Sequence, residues 1–160
     1  MITESHSIRR ANPNDVAFLS ELALHSKAYW GYSREFLEAC RSELTIDPER
    51  IGSDDYQCFV ATQDDVAIGF YAMKNVSGNA YELEGLFVEP VHIGAGVGRS
   101  LVQHATELLS DLGAERLIIQ GDPNAVRFYI AAGARQTGTR ESGSIPGRHL
   151  PLFEIDISNR

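Results

Sequence analysis

Leu86-Phe87-Val88-Glu89-Pro90-Val91-His92-Ile93-Gly94-Ala95-Gly96-Val97-Gly98-Arg99-Ser100 is the stretch on which the reading of this chain turns. Its first three residues end an apolar run. Its last residues open a segment in which Val97, Leu101, Val102, Ala105, Leu108, Leu109 and Leu112 recur at helical spacing. A strand therefore passes through a glycine-rich loop into a helix. Glycines at alternate positions let the backbone turn tightly and leave its N–H groups uncovered. Several of those N–H groups also belong to the first helical turn, which offers them no intrahelical acceptor. Uncovered donors at the positive end of a helix dipole make a site for a phosphate or pyrophosphate, to which Arg99 and Ser100 can add a charge and a hydroxyl. Two other phosphate loops fail on spacing. A GxGxxG loop needs Gly or Ala where Arg99 stands, and a GxxxxGK[ST] loop needs a lysine after its last glycine, whereas the lysines here are Lys27 and Lys74.

Upstream, residues 57–62, 66–76 and 80–88 read as strands joined by the polar turns Gln63-Asp64-Asp65 and Ser77-Gly78-Asn79, which predicts an antiparallel meander. Residues 6–10 read as a first strand. Asn12-Pro13-Asn14-Asp15 reads as a capped helix start, and Phe18, Leu19, Leu22 and Leu24 as the apolar side of that helix. Ser33 can cap a second helix through Phe36, Leu37, Cys40 and Leu44, with Tyr29-Trp30-Gly31-Tyr32 as an aromatic loop between the two. Downstream, Gly113 ends the long helix. Residues 116–120 read as a short buried strand, 124–132 as a helix closed by Gly133, and 152–157 as a last strand. The expected fold class is α/β, a mixed sheet with helices on both sides, in a single domain over residues 1–160.

With 160 residues, a net charge of −8, 43% hydrophobic and 22% charged residues, the chain is expected to be a soluble globular domain that buries about 70% of its unfolded surface. The acidic balance and the lack of a basic stripe argue against nucleic acid or an anionic membrane as a partner. The first ten residues are polar with charges of both signs and do not form a signal peptide. No apolar run approaches the roughly 18 residues a membrane helix needs, so the cytoplasm is the expected location. Cys40 and Cys58 lack CxxC spacing and read as buried, reduced thiols. His6, His25, His92, His104 and His149 are scattered without ligand spacing, so no metal is expected.

One further pattern lies in the order of the segments. Leu86-Phe87-Val88, a proline two residues on, the glycine loop and its amphipathic helix are followed by Asp122-Pro123-Asn124-Ala125, Phe128-Tyr129 and Gly133. This order resembles the GNAT N-acetyltransferase superfamily over about residues 8–157, most specifically over residues 83–133. The resemblance implies a central mixed, mostly antiparallel sheet with helices on both faces and a splayed strand pair at the cofactor site. It implies acetyl-CoA as co-substrate, its pyrophosphate held by Gly94, Ala95, Gly96, Val97, Gly98, Arg99 and Ser100. The backbone of Phe87 and Val88 would pair with the pantetheine arm, Asn124 would hydrogen-bond the same arm, and Tyr129 would sit near the sulfur. Ile93 stands where the family's loop usually opens with Arg or Gln, which leaves the binding to backbone donors. The implied activity is direct, ternary-complex transfer of an acetyl group to a primary amine of a small molecule, peptide or protein. The alternative is a non-catalytic domain that senses acyl-CoA. Dimers are frequent in that family, so a homodimer is an assembly the resemblance admits.

Such a transfer needs a proton acceptor, because an alkyl ammonium with a pKa near about 10.4 is almost wholly protonated at neutral pH. Glu82 and Glu84, two apart on the strand before the loop, share a face, and in the resembling family an acid on this strand often serves as base. A bulge near Gly85 would invert the alternation, so the choice between them stays open, as does the reading of either as a solvated strand residue. Tyr129 is the candidate proton donor to the departing thiolate, with Phe128 assigned to the core. A strand N–H near Val88 is the candidate for polarising the thioester carbonyl. Trp30 and Tyr32 are candidates for shaping the acceptor pocket, against a reading of Trp30 as a loop anchor packed on the core. Arg148 ends a stretch expected to link the last two strands and is a candidate for holding a carboxylate, against a solvated loop arginine.

Overall fold

The structure is a computed structural model that describes residues 6–158. Part of the polar opening stretch, read above as no signal peptide, lies outside the described residues. Seven strands among the described residues, β1 (Ser7–Arg10), β2 (Tyr56–Gln63), β3 (Val66–Ser77), β4 (Ala80–Val88), β5 (Arg116–Gln120), β6 (Arg135–Glu141) and β7 (His149–Asp156), form one sheet in the order β1-β2-β3-β4-β5-β7-β6. Only β4 and β5 pair in parallel. The helices are α1 (Val16–Ala28), α2 (Arg34–Leu44), α3 (Val97–Asp111) and α4 (Val126–Ala131). None is long and apolar enough to cross a membrane.

Local chemistry accounts for the boundaries. The Asn12 side chain accepts from the Asn14 N–H and Asp15 reaches back to the Asn12 N–H, which caps a 3-10 turn over Pro13–Asp15 that leads into α1, an α-helix with no side-chain cap of its own. Ser33 accepts from the Phe36 N–H and caps α2. Asp64 and Asp65 take the left-handed conformation between β2 and β3, the geometry a two-residue hairpin turn requires.

The sheet is covered on both faces, and the alternation of its strands supplies two cores. Cys58 and Val60 of β2 with Phe70 and Ala72 of β3 meet Val16, Leu19, Leu22 and Ala23 of α1. Tyr71 and Met73 of β3 point the other way, joining Leu83, Leu117, Ile119, Phe153 and Ile155 beneath Val97, Leu101, Val102, Ala105 and Leu109 of α3. Both cysteines are buried and free, and burial pushes the Cys58 thiol up to about 12.

Two expectations change. Phe18 is not on the buried side of α1: it is 52% exposed, while Leu19 and Leu22, one and four residues on, carry that face. The segment after Gly133 contains a strand, β6, whose seven residues are all exposed. It pairs with β7 through its backbone, with one side-chain bond from Thr137 Oγ1 to Leu152 O, and packs no apolar face, so it shows no apolar alternation.

The feature that positions the site is a break between β4 and β5. Ala72 pairs with Gly85 but the next residue, Met73, pairs with Leu83, so Glu84 is an extra residue bulged out of β4. A Cβ on Gly85 would lie 2.6 Å from the Phe87 ring, so the ring keeps its place beside the bulge because residue 85 is a glycine. Pairing with β5 stops at Leu83 opposite Ile119, and beyond that point the strands part.

Leu101→Ala, which truncates a fully buried side chain of α3, is expected to lower the unfolding free energy by about 2–5 kcal/mol. Phe18→Ala is expected to cost less than about 1 kcal/mol. Urea midpoints at unchanged slope measure both, and equal losses would contradict the assignment of faces.

Candidate active site

Beyond the break lies a cleft of about 490 Å³ between the end of β4, the start of α3, and α4. Its mouth toward α3 is the glycine loop. Gly94 and Gly96 have φ of 88° and 90°, and a Cβ on either would meet nothing, so it is backbone conformation and not crowding that calls for glycine. Gly98 is different. It lies within α3, and a Cβ there would sit 3.0 Å from the Phe128 ring, so this glycine lets α4 pack against the first turn of α3.

The loop's donors can be counted. Among the described residues, the N–H groups of Gly94, Gly96, Val97, Gly98 and Arg99 have no protein acceptor, whereas those of Ala95 and Ser100 already donate to His92 O (3.2 Å) and Gly96 O (3.1 Å). Of the expected loop residues, Ala95 and Ser100 thus leave the set of free amides. Val97 keeps its amide in the set while its side chain, 3% exposed, belongs to the core. Unpaired amides at the start of a 15-residue helix suit an anion of pyrophosphate type, and the Arg99 side chain lines the same cleft. The residues present fit the diphosphate that the resemblance implies.

Along β4, the Glu89 N–H donates to Ile68 O at 2.8 Å across β3, so the alternate amide of Val88 faces the open side. Its partner there is the Ser26 hydroxyl at 3.4 Å, a long bond that an incoming acceptor can replace. Tyr129 lines the opposite wall, 6% exposed, packed edge-on against Phe128 and tilted against Phe153. Among the described residues its hydroxyl has no protein partner, and it is not sealed from the cleft. Burial and then the charge of Asp122 raise its pKa, so the phenol keeps its proton across the working pH range. Gly121 backs it closely: a Cβ there would come within 3.0 Å of the Tyr129 ring.

The bulge separates the two glutamates by environment. Glu84 lines the cleft, held by Arg50 (3.0 and 3.2 Å) and Lys74 (3.3 Å). Glu82 does not line it. It pairs with Arg140 of β6, which also donates to Gln120 at 3.3 Å, and lies 4.0 Å from Lys74. Glu82 thus stands apart from this cleft.

On the α1–α2 side the structure brings together residues far apart in sequence. The Tyr32 hydroxyl donates to Asp122 (2.8 Å to Oδ2) and accepts from Asn124 Nδ2 (3.1 Å) and Arg148 Nη2 (2.7 Å). Lys27 Nζ reaches Asp122 Oδ2 at 3.3 Å. Burial alone would raise the Asp122 carboxyl, but the Asn124 N–H, Tyr32 and Lys27 outweigh it and hold the group below its ordinary value. Burial and the bond to Asp122 push Tyr32 up to about 12. Tyr32 is therefore a hub beside the cleft and not one of its walls. Trp30 does line the cleft and is 42% exposed, stacked edge-on with Tyr29, so it is not a loop anchor packed on the core. Lys27 and Ser26 line the cleft too, and nothing in the local sequence marks them, since their partners lie 95 and 62 residues away.

Comparison with known proteins decides the family. A profile described as Acetyltransferase (GNAT) family matches residues 18–134. This chain belongs to the GNAT acetyltransferase family. A peptidyl-lysine N-acetyltransferase, YjaB, of Escherichia coli strain K12 is 30% identical over 125 residues, covering 77% of this chain and 79% of that protein. The YjaB of Salmonella typhimurium is 29% identical over 94 residues, 59% of each. The crystal structure of PaiA N-acetyltransferase from Thermoplasma acidophilum in complex with coenzyme A shares the fold with a TM-score of 0.78 at 23% identity, covering 95% of this chain and 99% of that one. The GNAT protein is an N-acetyltransferase that draws its acetyl group from acetyl-CoA.

The unpaired amides predict a charge-dependent effect at Gly96. Asparagine and aspartate both tolerate positive φ, so Gly96→Asn and Gly96→Asp differ chiefly in charge. By calorimetry Gly96→Asp is expected to weaken acetyl-CoA binding by about a hundredfold more than Gly96→Asn. Equal affinities would contradict an anion at this loop.

Asp122 predicts a pH dependence. Its folded-state pKa lies below the ordinary value of 3.8, so its interactions add stability above that value and lose it as the pH falls through the lowered one. Asp122→Asn is expected to unfold at a lower temperature than the parent from about pH 7 to about 5, with the gap narrowing below about pH 4. A gap independent of pH would contradict the paired carboxylate.

Proposed function

We propose that this single domain acetylates a primary amine in a direct ternary complex, with Tyr129 as proton donor and Glu84 as proton acceptor. The observation that carries the reading is the placement of the Tyr129 phenol, unpartnered among the described residues, and the Glu84 carboxyl group on the walls of the same cleft, beyond a helix N-terminus with free amides. Asp122, the other carboxyl group lining it, is tied to Lys27, Tyr32 and Asn124.

Acetyl-CoA supplies the acyl group as a thioester. The free amides of Gly94, Gly96, Val97, Gly98 and Arg99 hold its diphosphate, and the open edge of Phe87 and Val88 with Asn124 aligns its arm. The Val88 N–H stabilises negative charge on the carbonyl oxygen as the amine nitrogen attacks. Glu84 takes the proton that the amine loses, directly or through water, and Tyr129 gives its proton to the sulfur as the C–S bond breaks. Arg50 and Lys74 fix the Glu84 carboxyl group at the edge of the cleft, while Trp30 flanks the entry of the acceptor. The scheme uses no metal. Relatives named peptidyl-lysine N-acetyltransferases favour an aminoalkyl acceptor such as a lysine side chain.

Tyr129→Phe removes only the hydroxyl. It is expected to lower kcat by about a hundredfold or more with acetyl-CoA affinity little changed. Glu84→Gln is expected to lower kcat by about tenfold or more near neutral pH, with the deficit shrinking as the pH approaches the pKa of the amine. Thiol-release kinetics measure both, and an unaltered kcat in either variant would sink that residue's role.

A further inference from the structure

The hub beside the cleft carries more positive charge than its own partners neutralise. Lys27 and Arg148, with side chains only 15% and 19% exposed, share a single carboxylate, Asp122, at 3.3 and 3.8 Å. Neither makes another ion pair among the described residues. Asp122 is itself saturated, accepting from Tyr32 and from both the backbone and the side chain of Asn124. Glu43, on the last turn of α2, accepts from the Ser144 hydroxyl at 3.0 Å, not from Arg148.

Arg148 is also held ready. Its guanidinium lies over the Phe36 ring at 4.7 Å and over the Tyr32 ring at 5.2 Å, with Tyr32 and Phe36 themselves stacked at 4.2 Å. The Ser142 hydroxyl accepts from the Ser144 and Ile145 N–H groups and shapes the loop that carries it. Among the described residues, only Nη2 of the guanidinium's donors has a protein acceptor, the Tyr32 hydroxyl at 2.7 Å. No unpartnered side-chain donor in the described residues is sealed from solvent, so the remaining Arg148 donors are open to an incoming group. Lys27 stands at the cleft wall beside Trp30, on the side of the cleft formed by α1. A pre-stacked guanidinium with free donors next to a second cation is the arrangement that recognises a carboxylate.

The geometry points to an acceptor that carries a carboxylate near its reactive amine, held by Arg148 and Lys27 beside Tyr32. This rests on the acetyl-transfer reading above and narrows its substrate class. A carboxylate neutralises the excess charge, whereas an acceptor with a second ammonium group at that end meets two fixed cations. The carboxylate can belong to a free amino acid or to an acidic residue beside a lysine in a peptide.

Two matched pairs test this with the purified protein: an amino acid against its carboxamide, and a lysine peptide with Glu against the same peptide with Gln beside the lysine. The acid member of at least one pair is expected to show a kcat/KM about tenfold or more above its neutral partner, mainly through KM. The pair that shows it identifies the source. Arg148→Gln and Lys27→Met are each expected to shrink that ratio and Arg148→Lys to restore part of it, with acetyl-CoA affinity measured as the control for folding. Equal kcat/KM within both pairs overturns the carboxylate site while leaving acetyl transfer intact. A preference that survives both Arg148→Gln and Lys27→Met overturns the assignment to these residues. Absence of transfer to every member, with acetyl-CoA bound, overturns the acetyl-transfer reading together with this one.

Discussion

Backbone N–H groups that a fold cannot satisfy internally must meet water or a ligand, and in this protein they are concentrated where β4 gives way to α3. The rest of the architecture keeps them in place. Leu101, Ala105 and Leu109 fix α3 on the sheet, Gly94 and Gly96 supply the left-handed turns that aim the amides outward, and Gly98 admits the Phe128 ring so that α4 closes the opposite wall. The Glu84 bulge then parts β4 from β5 and opens the space into which those donors face.

The same bulge sorts the two glutamates of β4. It leaves Glu84 at the cleft while Glu82 is tied to Arg140, so two acids two residues apart have different surroundings. Tyr129 sits across from it, its ring pressed between Gly121, Phe128 and Phe153, which positions the hydroxyl without a competing partner among the described residues. Rigid backing of this kind is what a proton donor needs if it is to meet a leaving group without reorganisation.

Much of this was legible in the sequence because it is local. Helix caps at Asn12 and Ser33, the Asp64-Asp65 turn, the periodicity of α3 and the run of loop glycines each report on residues within a few positions of themselves. The resemblance of residues 83–133 to one family rests on the same local order, and the bulge near Gly85 was visible as a glycine inside a strand pattern. What escaped is non-local or unpatterned. β6 presents seven exposed residues and pairs through its backbone, so no alternation betrays it. Phe18 fits a helical stripe yet faces a groove beside α2. The distinction between Gly96, needed for its φ, and Gly98, needed for its lack of a Cβ, depends on Phe128, thirty residues away. The Tyr32–Asp122–Arg148 hub joins three loops, and only the folded chain shows that Lys27 shares its carboxylate.

Nuclear magnetic resonance reads the free amides of the glycine loop one by one. Titration of the labelled protein with coenzyme A is expected to shift the amide signals of Gly94, Gly96, Val97, Gly98 and Arg99, which the structure leaves without acceptors. Pantetheine, which lacks the diphosphate, is expected to shift the signal of Val88 on the open edge of β4 and to leave those five in place. Loop amides that stay unmoved by saturating coenzyme A would contradict the account at its base.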